Sequence, residues 1–309
     1  MTHLQILLLA LILDYFIGDP KALWARFPHP AVLMGRVVSW FDKMLNRGNL
    51  RRVKGIIAIT LMSLGAIALG LFIRWLPDFG ILELILVTVL LAHKSLVQHV
   101  RDVATALGQG LNDGRRAVGR IVGRDTTDLD ESDVSRAAVE SAAENFSDAV
   151  VAPALWYLFF GPAGLLLYKM VNTADSMIGH HTPRYAEFGF GAAKLDDILN
   201  WVPARLCGAL MCLIYRSSSA FEIMRTDAML HSSPNAGWPE AAMAAILDVS
   251  LAGPRQYNGE LTNDSFINPR GRRTLTRDDI TGAVGILNRS WIGLTAIVAI
   301  MALFMWVFF

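Results

Sequence analysis

The stretch RAAVESAAENFSD, Arg136–Asp148, runs directly into AVVAPALWYLFFGPAGLLLY, Ala149–Tyr168, an apolar segment of membrane length. Glu140, Glu144 and Asp148 recur at every fourth residue, so a helix places them on one face. Like charges at this spacing repel by about 0.2–0.5 kcal/mol per pair, and a metal ion or phosphate-bound Mg²⁺ would offset the repulsion. This pattern indicates helices and chemistry at a bilayer surface, although a solvated helix face is the simpler alternative.

The composition favours a membrane protein. The 309 residues are 53% hydrophobic and 18% charged, whereas soluble domains carry about 25% charged residues. The net charge of +1 gives no reason to expect a nucleic-acid partner. Cys207 and Cys212 lie in an apolar stretch, and we expect them to be buried rather than bonded or metal-bound.

Apolar segments recur along the whole chain, and no alternation at period two is long enough to predict a sheet. We therefore predict an all-α, polytopic integral membrane protein that forms one membrane-embedded domain over residues 1–309. Its connections would be helical and cytoplasmic, because Lys and Arg concentrate in three of them. The candidate apolar segments are 4–17, 56–73, 80–96, 149–168, 201–215 and 291–309.

Two topologies remain open at this level. Six spans would place both termini outside, and the polar connection Lys169–Asn200 would then also lie outside. A break at Gly161-Pro162 would instead fold the segment 149–168 into a helical hairpin and return Lys169–Asn200 to the cytoplasmic side.

Polar residues in apolar surroundings supply further candidates, because such residues are costly in a membrane and mark functional sites. Asn145 accompanies the acidic residues, Asn172 and Asp175 follow the apolar segment, and Arg205 interrupts a later one. Lys194 could bind an anion, and Asp197 could bind Mg²⁺. Alternatively, the two residues could form a helix-end ion pair. Turn and loop motifs present His29, Arg36, Asn235 and Trp238.

Familiar nucleotide and nucleophile motifs are absent from the sequence. It contains no G-x-x-x-x-G-K-[ST], no G-x-G-x-x-G after a strand and no G-x-S-x-G. Any nucleotide must therefore be bound in another kind of site.

Several long motifs, in order, carry a family resemblance over nearly the whole chain. They are LDYFIGDP, FPHPAVLMGR, IVGRDTTDLDESDVSRAAVESAAENFSDAVVAP, YKMVNTADSMIGH, RYAEFGFGAAKLDDILNWVPARL and SPNAGWPEAAMA. Together they resemble the integral-membrane cobalamin-biosynthesis proteins CbiB/CobD, adenosylcobinamide-phosphate synthase. The segment Leu261–Arg273 matches less well.

The resemblance implies a ligase of the cell membrane. The family joins adenosylcobyric acid, a corrinoid, to aminopropanol or its phosphate, (R)-1-amino-2-propanol phosphate, or to ethanolamine phosphate. The reaction uses ATP as a cosubstrate and Mg²⁺ as an ion. No tightly bound prosthetic group is expected. The product, adenosylcobinamide or its phosphate, leads to vitamin B12. The bilayer and other membrane-associated B12 assembly enzymes are the further partners it implies.

The hypothetical mechanism on this basis is phosphorylation of a propionate carboxylate by ATP, followed by attack of the amine. Mg²⁺ ligands and a base would come from Glu140, Glu144 and Asp148, with Asp175. Phosphate charge would be neutralised by Lys194, Arg184 and Arg205, while Asn235 and Trp238 would contact the corrin. The remaining predicted substrate contacts are His29, Arg36, Asn145, Asn172 and Asp197.

Two alternatives of other classes remain. One is a non-catalytic AmpE-like membrane sensor, which a degraded acidic helix would favour, but the helix is intact here. The other is a transporter of corrinoids or metal ions, which should show broken helices in two matching halves, and no such symmetry is visible.

Overall fold

The computed structural model describes residues 1–20, 24–123, 125–254, 256–257, 260–261 and 264–308. Helices dominate the described chain, which confirms the all-α prediction. They are α1 (His3–Ile17), α2 (Pro30–Leu45), α3 (Arg51–Trp75), α4 (Ile81–Leu90), α5 (His93–Leu107), α6 (Leu111–Val118), α7 (Glu131–Phe146), α8 (Ala152–Ile178), α9 (Phe190–Ile214), α10 (Ser218–Asp227), α11 (Gly237–Leu247) and α12 (Arg277–Phe308). A π-helical turn (Ser147–Val151) joins α7 to α8, and a 3₁₀ turn (Ala228–Leu230) follows α10.

Five helical stretches within the described residues are long and apolar enough to cross a membrane, so the polytopic prediction is confirmed. They are Arg51–Trp75, Ile81–Leu107, Glu131–Ile178, Phe190–Ile214 and Arg277–Phe308, and His3–Ile17 is a shorter apolar helix. Each predicted apolar segment overlaps one of these six helical stretches, and residue 309, the last of the segment 291–309, lies outside the described residues. The segment 80–96 is interrupted at residues 91–92, and the segment 201–215 belongs to a helix that begins eleven residues earlier.

The chain divides into two compact units. The first comprises Met1–Ala92, Ala152–Asn200 and Val298–Phe309, and the second comprises His93–Val151 and Trp201–Ile297. The expectation of one membrane-embedded domain over residues 1–309 stays a prediction.

In the first unit, α3 packs against α8 through a stripe of small residues. Gly55, Ala58, Ala66 and Gly70 are buried at helical spacing along α3. A Cβ placed on Gly70 would lie 2.5 Å from the backbone nitrogen of Ala163. Small side chains let helix backbones approach closely in lipid, where dispersion contacts replace the hydrophobic effect as the attractive force. This stripe therefore brings α3 directly against α8.

Helix α8 is a hairpin of two arms rather than one rod. Gly161 has φ 61° and ψ −150°, a conformation that a glycine adopts at little cost, and Pro162 suits the first turn of the next arm. A Cβ on Gly164 would lie 3.2 Å from the carbonyl carbon of Trp156. In an unbroken helix these residues would be separated by about 12 Å along the axis. The chain thus reverses at Gly161, which favours the hairpin topology for the segment 149–168.

In the second unit, α7 is the central helix. The Asp130 side chain caps it by accepting a hydrogen bond from the Asp133 N–H at 2.8 Å. Consecutive buried residues, such as Ala137, Ala138 and Val139, show that the middle of the helix is covered on every side. It packs against α5, α6 and α11.

Two short antiparallel ladders follow α11. Strand β1 (Leu251–Ala252) pairs with β4 (Phe266–Ile267), and β2 (Gln256–Tyr257) pairs with β3 (Glu260–Leu261). Each strand has only two residues, too few for an alternating pattern in the sequence.

Candidate functional site

The acidic residues of α7 and the π turn divide into a buried and an accessible part. Glu140 is only 6% exposed. Its Oε1 accepts a hydrogen bond from the backbone N–H of Ala252 at 2.7 Å, which holds strand β1 against α7. Glu144 is exposed and Asp148 is half-buried. Glu140 therefore serves to position β1, while Glu144 and Asp148 can reach a ligand.

Asp148 lies in a π turn rather than in the α-helical part of the acidic stretch. A π turn is closed by hydrogen bonds between residues i and i+5, so it contains more residues than an α turn. Asp148 lies inside the turn Ser147–Val151, directly after the α-helical Glu140 and Glu144. The expected stack of three carboxylates therefore runs from an α-helix into a π turn, and its alignment stays a prediction. Such insertions occur frequently at functional sites.

The neutral residues beside the carboxylates, Ser141 and Asn145, form hydrogen bonds within the second unit. Asn145 donates from its amide to the Ser141 carbonyl at 2.8 Å and contacts the Ser141 hydroxyl at 3.1 Å. The Ser141 hydroxyl donates to the Ile121 carbonyl at 2.8 Å. Asn145 can still offer its amide oxygen to a ligand.

This donor set fits phosphate-bound Mg²⁺ better than a metal held by protein alone. Across the part of the chain that the structure describes, no group of three or more His, Cys, Asp or Glu side chains could hold a metal ion. Mg²⁺ in nucleotide sites commonly takes one or two carboxylates together with phosphate oxygens and water. Glu144 and Asp148 would suffice for that arrangement. The assignment of Glu140, Glu144 and Asp148 as Mg²⁺ ligands stays a prediction.

Arg205, predicted to need an acidic or phosphate partner, finds other partners in the second unit. Its NH1 donates to the Trp201 carbonyl at 2.6 Å. Its guanidinium carbon lies 4.1 Å from the Trp201 ring centroid and 4.4 Å from that of Trp238. These two cation–π contacts stabilise the half-buried guanidinium. They also occupy part of the Trp238 ring, which was predicted to contact the corrin.

The neighbouring loop residue Asn235 is buried. Its backbone N–H faces the Ser233 hydroxyl at 3.3 Å. Close by along the chain, His231 Nε2 lies 3.7 Å from Glu240 Oε1. The corrin contacts assigned to Asn235 and Trp238 stay predictions.

A polar network in the first unit was only partly visible in the sequence. Asp196 Oδ2 accepts from Asn200 at 2.9 Å, and its Oδ1 faces the Asn172 amide at 3.4 Å. Asn200 in turn accepts from the Tyr168 hydroxyl at 2.9 Å. Asp175 lies close enough for its charge to act on Asp196. The structure thus brings the predicted Asn172 and Asp175 together with three residues that were not predicted as site residues.

The missing signal was the spacing between Asp196 and Asn200. These residues are four apart on α9, so they lie on one helix face together. Lys194 and Asp197, the predicted residues, instead pair with each other at 2.8 Å, three residues apart. The Lys194 side chain is 61% exposed, and the contact agrees with the alternative of a helix-end ion pair. The binding roles of Lys194 and Asp197 stay predictions.

Arg184 belongs to a second polar group of the first unit, at the end of α2. It donates to Asp42 Oδ2 at 2.6 Å, and Asn46 donates to Asp42 Oδ1 at 2.8 Å. The hydrogen bond and the negative charge of Asp42 raise the pKa of Arg184 above its ordinary value. Arg51 donates to Asn46 Oδ1 at 2.9 Å and to the carbonyl oxygens of residues 183 and 184.

His29 precedes helix α2 as its N-cap residue, and Arg36 lies within the helix. His29 caps it, because its Nδ1 accepts from the Ala31 N–H at 3.1 Å, and its Nε2 lies 3.6 Å from Asp19. The ring of His29 also meets Trp24 edge-on at 4.6 Å. Arg36 is exposed. The local contacts of His29 are sufficient to explain its Pro-His-Pro motif, and its predicted substrate contact stays a prediction.

Comparison with known proteins identifies the family. A family model described as CobD/Cbib protein matches residues 7–287. A relative from Brucella anthropi, named Cobalamin biosynthesis protein CobD, is 49% identical over 298 residues, covering 91% of each chain. Relatives of the same name from Sinorhizobium fredii and Halalkalibacterium halodurans are 46% and 39% identical, covering 96% and 94% of each chain. No solved structure matches significantly. The chain belongs to the CobD/CbiB family.

Proposed function

We propose that this protein acts in cobalamin biosynthesis as an ATP-dependent amide ligase of the cell membrane. It would join adenosylcobyric acid to (R)-1-amino-2-propanol phosphate, or to the related aminopropanol or ethanolamine phosphate. The product would be adenosylcobinamide phosphate. The family match over residues 7–287 is the observation that carries the proposal.

Amide formation from a carboxylate requires activation, because an ionised carboxylate is a poor electrophile. In the proposed reaction, a propionate oxygen of the corrinoid attacks the terminal phosphorus of ATP, giving an acyl phosphate and ADP. The amine then attacks the acyl carbon, phosphate leaves, and the nitrogen loses one proton to a base. The protein must therefore bind several phosphate groups and accept one proton.

Glu144 and Asp148 are the residues that we assign to the magnesium nucleotide. The ion would neutralise phosphate charge and orient the terminal phosphoryl group. Glu144 is exposed and Asp148 lies in the π turn, whereas Glu140 is engaged with Ala252. We therefore assign to Glu140 the positioning of β1 beside the acidic helix, and its role as a Mg²⁺ ligand stays a prediction.

Asp175 and its neighbours are the residues that we assign to proton acceptance and amide contacts. Asp175 lies close enough to Asp196 for the two carboxylates to interact, and a carboxylate can accept the proton that the attacking amine loses. Asn172 would contact the amide-rich corrinoid edge. Arg184 would bind phosphate.

The test is condensation by purified protein in detergent. Adenosylcobyric acid, aminopropanol phosphate, ATP and MgCl₂ are supplied, and mass spectrometry detects the condensed product. We expect a product that requires ATP. Absence of product from folded protein that binds corrinoid would contradict ligation and favour the sensor or transporter alternatives. Corrinoid uptake into vesicles without condensation would identify transport.

A substitution locates the chemistry on the acidic helix. Glu144→Gln should lower the condensation rate by about 100-fold or more, because it removes a charge that binds the magnesium nucleotide. The matched control is Glu131→Gln, which removes an exposed carboxylate from the first turn of the same helix and should retain activity. Equal activities of the two variants would remove Glu144 from the mechanism.

A further inference from the structure

A cavity of about 310 Å³ in the first unit has an unusual lining. The residues around it are Asp42, Lys43, Asn46, Arg47, Arg51 and Arg184. Four are cations and one is a carboxylate, so the positive charge exceeds the negative charge. A volume near the lower end of small-ligand sites suits a small anion and is too small for a corrin.

The single carboxylate is already occupied on both oxygens. Asp42 is 7% exposed, and it accepts from Arg184 at 2.6 Å and from Asn46 at 2.8 Å. It therefore balances and orients Arg184 but leaves three other cations uncompensated. Among the described residues, no ion pair is found for Lys43, Arg47 or Arg51.

Hydrogen bonds fix the cavity wall. Arg51 bridges Asn46 and the carbonyl oxygens of residues 183 and 184, which lie more than 130 residues away in sequence. Asn46 donates to the Arg184 carbonyl at 3.3 Å. Carbonyl partners hold a guanidinium in place without cancelling its charge, so the arginine remains able to attract an anion.

The cavity lies where a membrane-length helix begins. Arg51 is the first residue of α3, and Leu50 before it adopts a left-handed conformation with φ 61° and no side-chain cap. The unsatisfied N–H groups of a helix start carry a partial positive charge that also favours an anion. This charge adds to that of the lining side chains.

We propose that this cavity binds a phosphate group. Guanidinium and ammonium groups are the usual protein ligands of phosphate, and arginine matches its geometry through paired N–H donors. The phosphate could belong to a small water-soluble phosphate monoester or to the headgroup of an anionic phospholipid at the membrane boundary. The proposal deepens the phosphate role that the proposed function gives to Arg184, and it is argued from the charge and geometry of the whole lining.

Two probes distinguish the sources, and neither experiment contains ATP or corrinoid. Calorimetry in neutral detergent measures binding of O-phosphoethanolamine, with ethanolamine as the control that lacks phosphate. Native mass spectrometry, after release from nanodiscs, measures retained phosphatidylglycerol against phosphatidylcholine. Failure of condensation would thus leave this proposal standing, and failure of phosphate binding would leave condensation to be judged separately.

The variants are chosen to preserve the wall. Lys43→Gln combined with Arg47→Gln removes two exposed charges and leaves the hydrogen bonds of Asp42, Asn46 and Arg51 intact. The matched control is Arg52→Gln, which removes a charge from the same helix start but outside the cavity lining, where Arg52 lies over the Phe190 ring. Arg47→Gln alone serves if the double variant melts at a lower temperature.

We expect phosphate binding to weaken by about 10-fold for each charge removed and to change less than about twofold in the Arg52 variant. Binding of O-phosphoethanolamine but not ethanolamine, with this ranking, identifies a soluble phosphate monoester. Selective phosphatidylglycerol retention with the same ranking, without O-phosphoethanolamine binding, identifies a lipid headgroup. The proposal would be overturned if, for each of the two probes, the folded wild type, the cavity variants and the Arg52 control bound it with equal affinity.

Discussion

Substitution of Gly70 by alanine tests the contact between α3 and the hairpin. A Cβ at this position would lie 2.5 Å from the backbone nitrogen of Ala163 and 2.7 Å from the carbonyl carbon of Pro162. Both neighbours are backbone atoms next to the chain reversal at Gly161, so neither can rotate away. The two elements would have to separate.

Two effects of opposite sign set the magnitude. Overpacking of a close contact costs about 1–3 kcal/mol, while alanine is favoured over glycine inside a helix by about 1 kcal/mol. Separation of the backbones also forfeits dispersion contacts along the small-residue stripe. We expect Gly70→Ala to lower the free energy of unfolding by about 1–2 kcal/mol in total.

Gly65 provides the matched control on the same helix. A Cβ on Gly65 would meet no atom within 4 Å, so Gly65→Ala gains helix propensity without a clash. Thermal melting in detergent, followed by tryptophan fluorescence, should show a lower midpoint for Gly70→Ala and an unchanged or higher one for Gly65→Ala. Each kcal/mol corresponds to about 2–4 °C in a chain of this size class. Identical midpoints would refute the close packing of α3 on the hairpin.

Two further predictions concern buried polar groups. Glu140→Ala should lower the free energy of unfolding by about 1–3 kcal/mol, because it leaves the buried Ala252 N–H without its acceptor. Glu140→Gln, which keeps an oxygen, should lose less, and loss of condensation without a stability change in that variant would contradict the positioning role. Tyr168→Phe should cost about 1–3 kcal/mol by leaving Asn200 Oδ1 without its donor. An unchanged melting midpoint would show that this hydrogen bond contributes nothing.

The helical segments could be predicted from the sequence because length and hydropathy alone determine them. The segment 56–73 lies inside Arg51–Trp75, and 291–309 coincides with the end of Arg277–Phe308. Gly161-Pro162 also indicated a break, since this pair combines the residue that permits unusual dihedrals with the one that cannot continue a helix from within. The glycine dihedrals and the contact between Gly164 and Trp156 place the reversal there.

The π turn and the short β ladders could not be predicted in the same way. A π turn depends on packing around one inserted residue rather than on a residue pattern, so Asp148 looked like the next member of a regular stripe. The two-residue strands carry no periodicity, and part of the segment that contains them lies outside the described residues. Their pairing comes from long-range contacts such as that between Glu140 and Ala252.

A charged residue in an apolar segment therefore needs a second criterion before it is assigned to chemistry. Burial of a charge is costly, and the cost can be met by the fold or by a ligand. Arg205 meets it through a carbonyl and two indole rings, and Glu140 through a backbone N–H. In the sequence, Arg205 was a candidate because it interrupts an apolar segment, and Glu140 because it belongs to a four-residue repeat of carboxylates. The cavity beside Asp42 differs, because its hydrogen bonds hold the lining side chains in place but leave an excess of positive charge. An uncompensated charge that the fold holds in place is a stronger indication of a ligand than an ionisable residue in an apolar segment.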